Sequence, residues 1–230
     1  MMRAGAVDQG WLGMTRTLSA ARAITALFSF LLLTNLFAAQ PSAGSGTITR
    51  PDVRSSTALV VDANDSSVLF AQRDDAVRPI ASITKLMTAL VVLDGQQSLD
   101  EVITITNADR NGARGSASRL GVGTRLSRGE LLQLALMSSE NRAAQALGRS
   151  YPGGLSVFLR AMNDKAAELG MTDAKFADPT GLSSGNVASA RDLVKLVQAA
   201  SGHPLIRRYS TGERHTVKAG RQALDYRNTN

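Results

Sequence analysis

The sequence predicts an α+β fold, on three observations: two β-rich runs come first, a series of helical segments follows, and punctuating turn residues separate them. Ser56–Asp62 and Val68–Gln72 are the β-rich runs. Asn64-Asp65-Ser66-Ser67 lies between them and favours a turn, so the pair is expected to form a hairpin. From Ser82 the period changes. Ile83, Leu86, Met87, Leu90 and Val91 recur at helical spacing up to Asp94-Gly95, which predicts an apolar stripe on a helix.

Arg110–Arg125 is rich in Gly and Ser and reads as a loop. Ser127 with Glu130 three residues later forms a capping box before the apolar segment Leu131–Met137. A further helix is expected over Leu155–Leu169, closed by Gly170. Another starts at Ser189 and presents Leu193, Leu196, Val197 and Ala200 before Gly202. No internal repeat is visible. An α+β fold of this kind requires more strands after the helices, and the periodicity shows none before Asn230.

Composition narrows the chemistry. The 230 residues, 43% of them apolar, suffice for one core. The absence of Cys excludes disulfides, thiol catalysis and zinc–thiolate sites. The two His, His203 and His215, lack metal-ligand spacing, which disfavours a zinc site or a His-based triad. A net charge of +7 raises the question of nucleic acid. The basic residues are scattered, without aromatic interleaving, so no nucleic-acid partner is expected; attraction to an acidic surface explains the charge.

The first 39 residues read as an export signal. Arg16 and Arg22 precede an apolar run, Ala23–Leu33, and small residues Ala38 and Ala39 follow. The run is about a dozen residues, of signal-peptide rather than membrane-span length. Leu36 and Phe37 blur the cleavage site, and an uncleaved segment would leave the protein anchored to the inner membrane. Residues 40–50 form a flexible tether, and 51–230 the domain.

Within that domain, Ser82-Ile-Thr-Lys85 carries the chemistry. Residues three apart share a helix face, so the two side chains can meet. A hydroxyl needs a base beside it to attack, and burial along the apolar stripe would lower the lysine pKa enough to supply one. The helix start offers backbone N–H groups to a developing negative charge. Read blandly, Ser82 is a helix cap. A second element, Ser139-Glu140-Asn141, sits at a break between two helices. Asn141 can bond both a peptide-like substrate and the lysine, and Ser139 can relay a proton to a leaving amine. Its distance beyond Ser82 is what makes the combination specific.

These motifs resemble those of the low-molecular-mass penicillin-binding proteins, the D-alanyl-D-alanine carboxypeptidase/endopeptidase family. The likeness runs from about Ser56 to Asn230 and includes Ile80–Thr88, Leu134–Ala144, Asp178-Pro-Thr-Gly-Leu182 and Ser189–Leu193. Ser-Ser-Glu-Asn-Arg142, Tyr151-Pro-Gly-Gly154 and Tyr226–Asn230 are most similar to the endopeptidase branch. The resemblance implies a β-lactamase/transpeptidase-like fold, an α/β/α sandwich. It implies that Ser82 forms the acyl-enzyme, that Lys85 takes its proton, and that Ser139 and Asn141 line the cleft. The implied substrate is the peptidoglycan stem peptide, with cutting of cross-links favoured over removal of terminal D-Ala. β-Lactams become covalent inhibitors, the location periplasmic, and no cofactor is required.

One family motif, Lys-Thr/Ser-Gly, has no counterpart here. Lys218-Ala219-Gly220 lacks the hydroxyl and precedes Arg227–Asn230 instead of following it, so a turn with a solvated lysine is expected. The chain therefore reads as a fragment or a truncated product without the C-terminal strands, with little activity alone. Strong Ser82-dependent labelling by a fluorescent penicillin would refute that expectation. A class A β-lactamase would need a Glu with a nearby Asn in the Asp178–Leu182 stretch, and neither is there. A catalytically dead wall-binding relative is the other alternative; the retained Ser82, Lys85, Ser139 and Asn141 speak against it.

Overall fold

The computed structural model describes residues 51–110 and 118–229. The expected signal segment and tether, and part of the Arg110–Arg125 loop, lie outside the described residues. Eight short strands and six α-helices make up the rest. The expected hairpin is present as β1 (Ala58–Val61) and β2 (Val68–Gln72), antiparallel, with an irregularity between Val60 and Val61. Asp62 and Asp65 shape its turn, each accepting a backbone N–H two residues on.

After β3 (Arg78–Pro79), a 3-10 turn at Ala81–Ile83 runs into helix α1 (Thr84–Asp94). Ser82 therefore sits one turn before the regular helix and does not cap it. The expected single apolar stripe is also revised. Met87, Ala89, Leu90, Val91 and Val92 are all buried, whereas Ile83 is exposed. A helix apolar nearly all round belongs in the centre of a fold. α1 does, contacting α2 (Arg128–Met137), α3 (Asn141–Arg149), α4 (Gly154–Glu168) and α5 (Ala190–Gly202).

The helix boundaries follow their capping residues. Ser127 accepts from the Glu130 N–H at 3.1 Å, and its own N–H donates to the Glu130 carboxylate at 2.7 Å, the reciprocal box that starts α2. Ser189 caps α5 through the Asp192 N–H. Gly170, at φ +71, stops α4 in the left-handed conformation.

Strands that the periodicity missed complete the fold. β4 (Val102–Thr104) pairs with β5 (Arg125–Ser127), and β3 with β6 (Val187–Ala188). Past α6 (Pro204–Thr211), β7 (Arg214–Ala219) and β8 (Gln222–Arg227) form an antiparallel hairpin of six residue pairs. The reading that no strands follow the helices is thus corrected: alternation in His215, Val217, Leu224 and Tyr226 was diluted by charged residues on the outer face. Lys218 and Ala219 end β7 rather than form the turn, which Gly220 begins at φ +64; Lys218 is exposed, as expected. Among the described residues the strands form four two-stranded ladders. The α+β class holds.

Candidate active site

The 3-10 turn and the first turn of α1 place Ser82 and Lys85 on one face, with Lys85 Nζ 3.2 Å from Ser82 Oγ. From the break between α2 and α3, Ser139 Oγ donates to Ser82 Oγ at 2.8 Å, and Asn141 Oδ1 accepts from Lys85 Nζ at 2.8 Å. All four residues read from the sequence converge. Ser139 is in the left-handed region at φ +54, a strained conformation for a non-glycine residue that turns its hydroxyl toward the nucleophile. Ala81 has a similar φ of +46 immediately before Ser82. A cleft of about 610 Å³ opens over the site, lined in part by Ser82, Lys85, Leu86, Leu136, Ser139 and Thr229.

Lys85 is 3% exposed. Burial lowers its pKa to about 8, against a partial opposing pull from Asp178 and then Glu140. Its third partner is the Thr180 carbonyl, at 2.6 Å. The stoichiometry matters. A neutral amine has two N–H donors and one lone pair. The Asn141 and Thr180 oxygens take the two donors, which leaves the lone pair directed at the Ser82 hydroxyl. The arrangement can therefore accept the proton of Ser82 without rearranging the lysine.

The sequence singled out Asp178–Leu182 only as part of the family likeness and gave it no role at the lysine. Asp178 accepts the N–H groups of Thr180, Gly181 and Ser183 and the Thr180 hydroxyl, all within 2.6–2.7 Å. These bonds fold Asp178–Ser183 into a tight loop. Those hydrogen bonds outweigh the cost of burial, and the carboxyl sits below its ordinary pKa. Asn186, fully buried, ties the loop to α1 by donating to Thr84 Oγ1 at 3.0 Å and to the Asp178 carbonyl at 3.0 Å. Thr88 Oγ1 donates to the Pro179 carbonyl at 2.7 Å. Gly181, at φ +87, passes so close that a Cβ there would lie 1.9 Å from the Ala81 oxygen. The available signal was a Thr at positions 84 and 88, one turn apart beside the lysine, where a helix buried all round would otherwise carry apolar residues. Among the described residues no cluster of His, Cys, Asp and Glu could hold a metal ion.

Known proteins resemble this chain in sequence and in fold. Residues 45–230 match the peptidase family described as D-alanyl-D-alanine carboxypeptidase. The D-alanyl-D-alanine endopeptidase of Pseudomonas aeruginosa is 45% identical over 209 residues, 90% of this chain and 67% of that protein. The Escherichia coli protein of the same name is 45% identical over 210 residues, 89% of this chain and 68% of its own. Among solved structures, the Streptomyces K15 DD-transpeptidase superposes with a TM-score of 0.74 at 26% identity, covering 80% of this chain and 76% of that one. A D-alanyl-D-alanine carboxypeptidase of Mycobacterium tuberculosis gives 0.73 at 28%, covering 81% and 70%. The fold is the transpeptidase-like one, and the chain belongs to the D-alanyl-D-alanine carboxypeptidase family of serine D,D-peptidases.

Proposed function

We propose that the protein cuts D-alanyl cross-links in the peptidoglycan stem peptide through an acyl-enzyme on Ser82. Lys85, in the neutral form that its lowered pKa makes accessible, takes the Ser82 proton as Oγ attacks the D-alanyl carbonyl. The oxyanion forms near the amino end of the turn leading into α1, where the helix dipole favours negative charge. The proton on Lys85 then passes by way of the Ser139 hydroxyl to the leaving amine, and the C–N bond breaks, which leaves the acyl group as an ester on Ser82 Oγ. Water attacks the ester, its proton returns through Lys85, and Ser82 is regenerated. Asn141 holds both the lysine and the substrate amide. The same attack opens a β-lactam ring, leaving an ester on Ser82.

The observation that carries this reading is the saturated geometry of Lys85, whose two acceptors leave one direction free, toward Ser82. Cross-link cleavage is favoured over release of terminal D-Ala because the relatives at 45% identity are named endopeptidases. Export to the periplasm is supported by the Arg16–Ala39 pattern. No helix among the described residues is long and apolar enough to cross a membrane.

The test is prolonged exposure to a penicillin followed by mass mapping of peptides. The 230 residues contain no Lys-Thr-Gly or Lys-Ser-Gly triplet, so acylation is expected to be slow. An adduct confined to Ser82, absent in Ser82→Ala and Lys85→Ala, supports the reading. An adduct elsewhere, or one that survives either substitution, refutes it. Digestion of cross-linked muropeptides beside release of D-Ala from pentapeptide distinguishes the two activities.

A further inference from the structure

Ala81, the residue before the nucleophile, holds a φ of +46, a left-handed conformation that is unfavourable for any residue with a Cβ. Among the described residues four other non-glycine residues have a positive φ. Ser66, Arg73 and Gln96 lie in exposed surface turns, and Ser139 meets Ser82 from the opposite wall of the cleft. Asn and Asp offset such a conformation with local side-chain hydrogen bonds, and Ala81 has no polar side chain to do so. Its methyl group is exposed, so core packing does not account for the conformation either.

The backbone around Ala81 is held from three directions instead. Before it, the Ile80 N–H donates to the Asn186 carbonyl at 3.0 Å, which continues the pairing of Arg78 with Ala188 and Pro79 with Val187. After it, the Ile83 N–H donates to the Ile80 carbonyl at 3.2 Å, and the Thr84 N–H donates to the Ala81 carbonyl. From the side, Gly181 abuts the turn so closely that a Cβ on it would press on both the Ala81 carbonyl and the Ser82 nitrogen. Relaxing Ala81 to a negative φ would rotate the chain before it against the chain after it, and these contacts oppose that rotation. Strain that the surroundings over-determine beside a reacting group points to a role in the reaction.

We propose that Ala81 is a positioning residue for the nucleophile, its backbone held in the left-handed region so that Ser82 Oγ meets Lys85 Nζ and Ser139 Oγ together. Those two partners lie 3.2 Å and 2.8 Å from Ser82 Oγ and belong to different elements, so a small rotation of the turn gives up one or both. The Ala81 backbone does the aiming and its methyl group takes no part. The folded state is less stable for it, and the Asp178–Ser183 loop and β6 supply the restraint. The assignment rests on Ser82 as the nucleophile of the peptidase reading, and adds how that nucleophile is aimed.

Ala81→Gly and Ala81→Val test it in the full chain, because an exposed side chain leaves backbone preference as the main change. The reagent is a small fluorophosphonate: Ser82 Oγ bonds to phosphorus, fluoride leaves, and the Ser82 proton passes to Lys85. It reads the aim of Ser82 without recognition of a D-alanyl group, so the penicillin mapping above judges the peptidase reading separately. Glycine adopts a positive φ freely, so Ala81→Gly is expected to raise the urea midpoint with an unchanged slope. The β-branch of valine resists that φ, so Ser82 in Ala81→Val is expected to label roughly 100-fold more slowly than in Ala81→Gly. The pH midpoint of labelling should stay near 8 in both, since the burial of Lys85 is untouched. A purely structural role would lower the stability of Ala81→Val and leave the labelling rate of the folded protein as it was. Equal labelling of the two variants, a loss accompanied by a shifted pH midpoint, no gain in stability with glycine, or no labelling of the unaltered chain overturns the proposal. If Ala81→Val fails to fold, the urea midpoint of Ala81→Gly decides: a rise supports the proposal, and no rise overturns it.

Discussion

At the scale of single residues, catalysis turns on whether Lys85 is protonated. Acylation requires its neutral form, so the rate is expected to rise with pH through a midpoint of about 8. The Glu140 charge raises that pKa; Glu140→Gln should shift the midpoint to lower pH, which a pH–rate profile of penicillin acylation reads directly. Ser139→Ala removes the hydroxyl 2.8 Å from Ser82 and is expected to slow turnover of a D-alanyl peptide roughly 100-fold. A steady-state assay at fixed pH checks it, and an unchanged rate would exclude the relay. The four side chains were legible because each belongs to one of two short motifs. The third ligand of Lys85 was not: a backbone carbonyl, that of Thr180, has no residue signature, and Asp178–Leu182 entered only as part of the family likeness and as a stretch without a deacylating base.

At the scale of elements, close approach of the Asp178–Ser183 loop to the 3-10 turn fixes Ser82. Gly181→Ala combines a φ of +87 with a 1.9 Å clash against Ala81. It is expected to cost about 2–4 kcal/mol and to abolish adduct formation, measured by urea midpoint and mass mapping. By contrast, Ser127→Ala removes a cap far from the chemistry and should cost about 1 kcal/mol with the pH–rate profile unchanged. Helices with caps, such as those begun by Ser127 and Ser189, were readable within a residue or two. β3 and β6 were not, because two-residue strands have no period to detect. The β7–β8 hairpin escaped because its outer face carries Arg214, Lys218 and Arg227, and only Val217 and Tyr226 are fully buried on the inner one.

At the scale of the whole molecule, the fold buries Lys85 by bringing together α1, the α2–α3 break and the Asp178 loop, segments scattered from residue 82 to residue 186. That long-range convergence is why periodicity alone could place the motif but not the depth of its burial. The convergence has a cost that depends on pH. Folding lowers the Lys85 pKa from its unfolded value near 10.5 to about 8. Below about 8 both states are protonated and the full cost, about 3 kcal/mol, is present. Between about 8 and 10.5 the unfolded chain holds more protons, so stability should rise with pH, and Lys85→Met should flatten that rise in urea titrations. The most direct test of the central claim is an NMR titration of the Lys85 side-chain amine in the folded chain. A midpoint near 8 is the predicted result; titration near 10.5, as for a solvated lysine, would contradict a neutral amine poised beside Ser82.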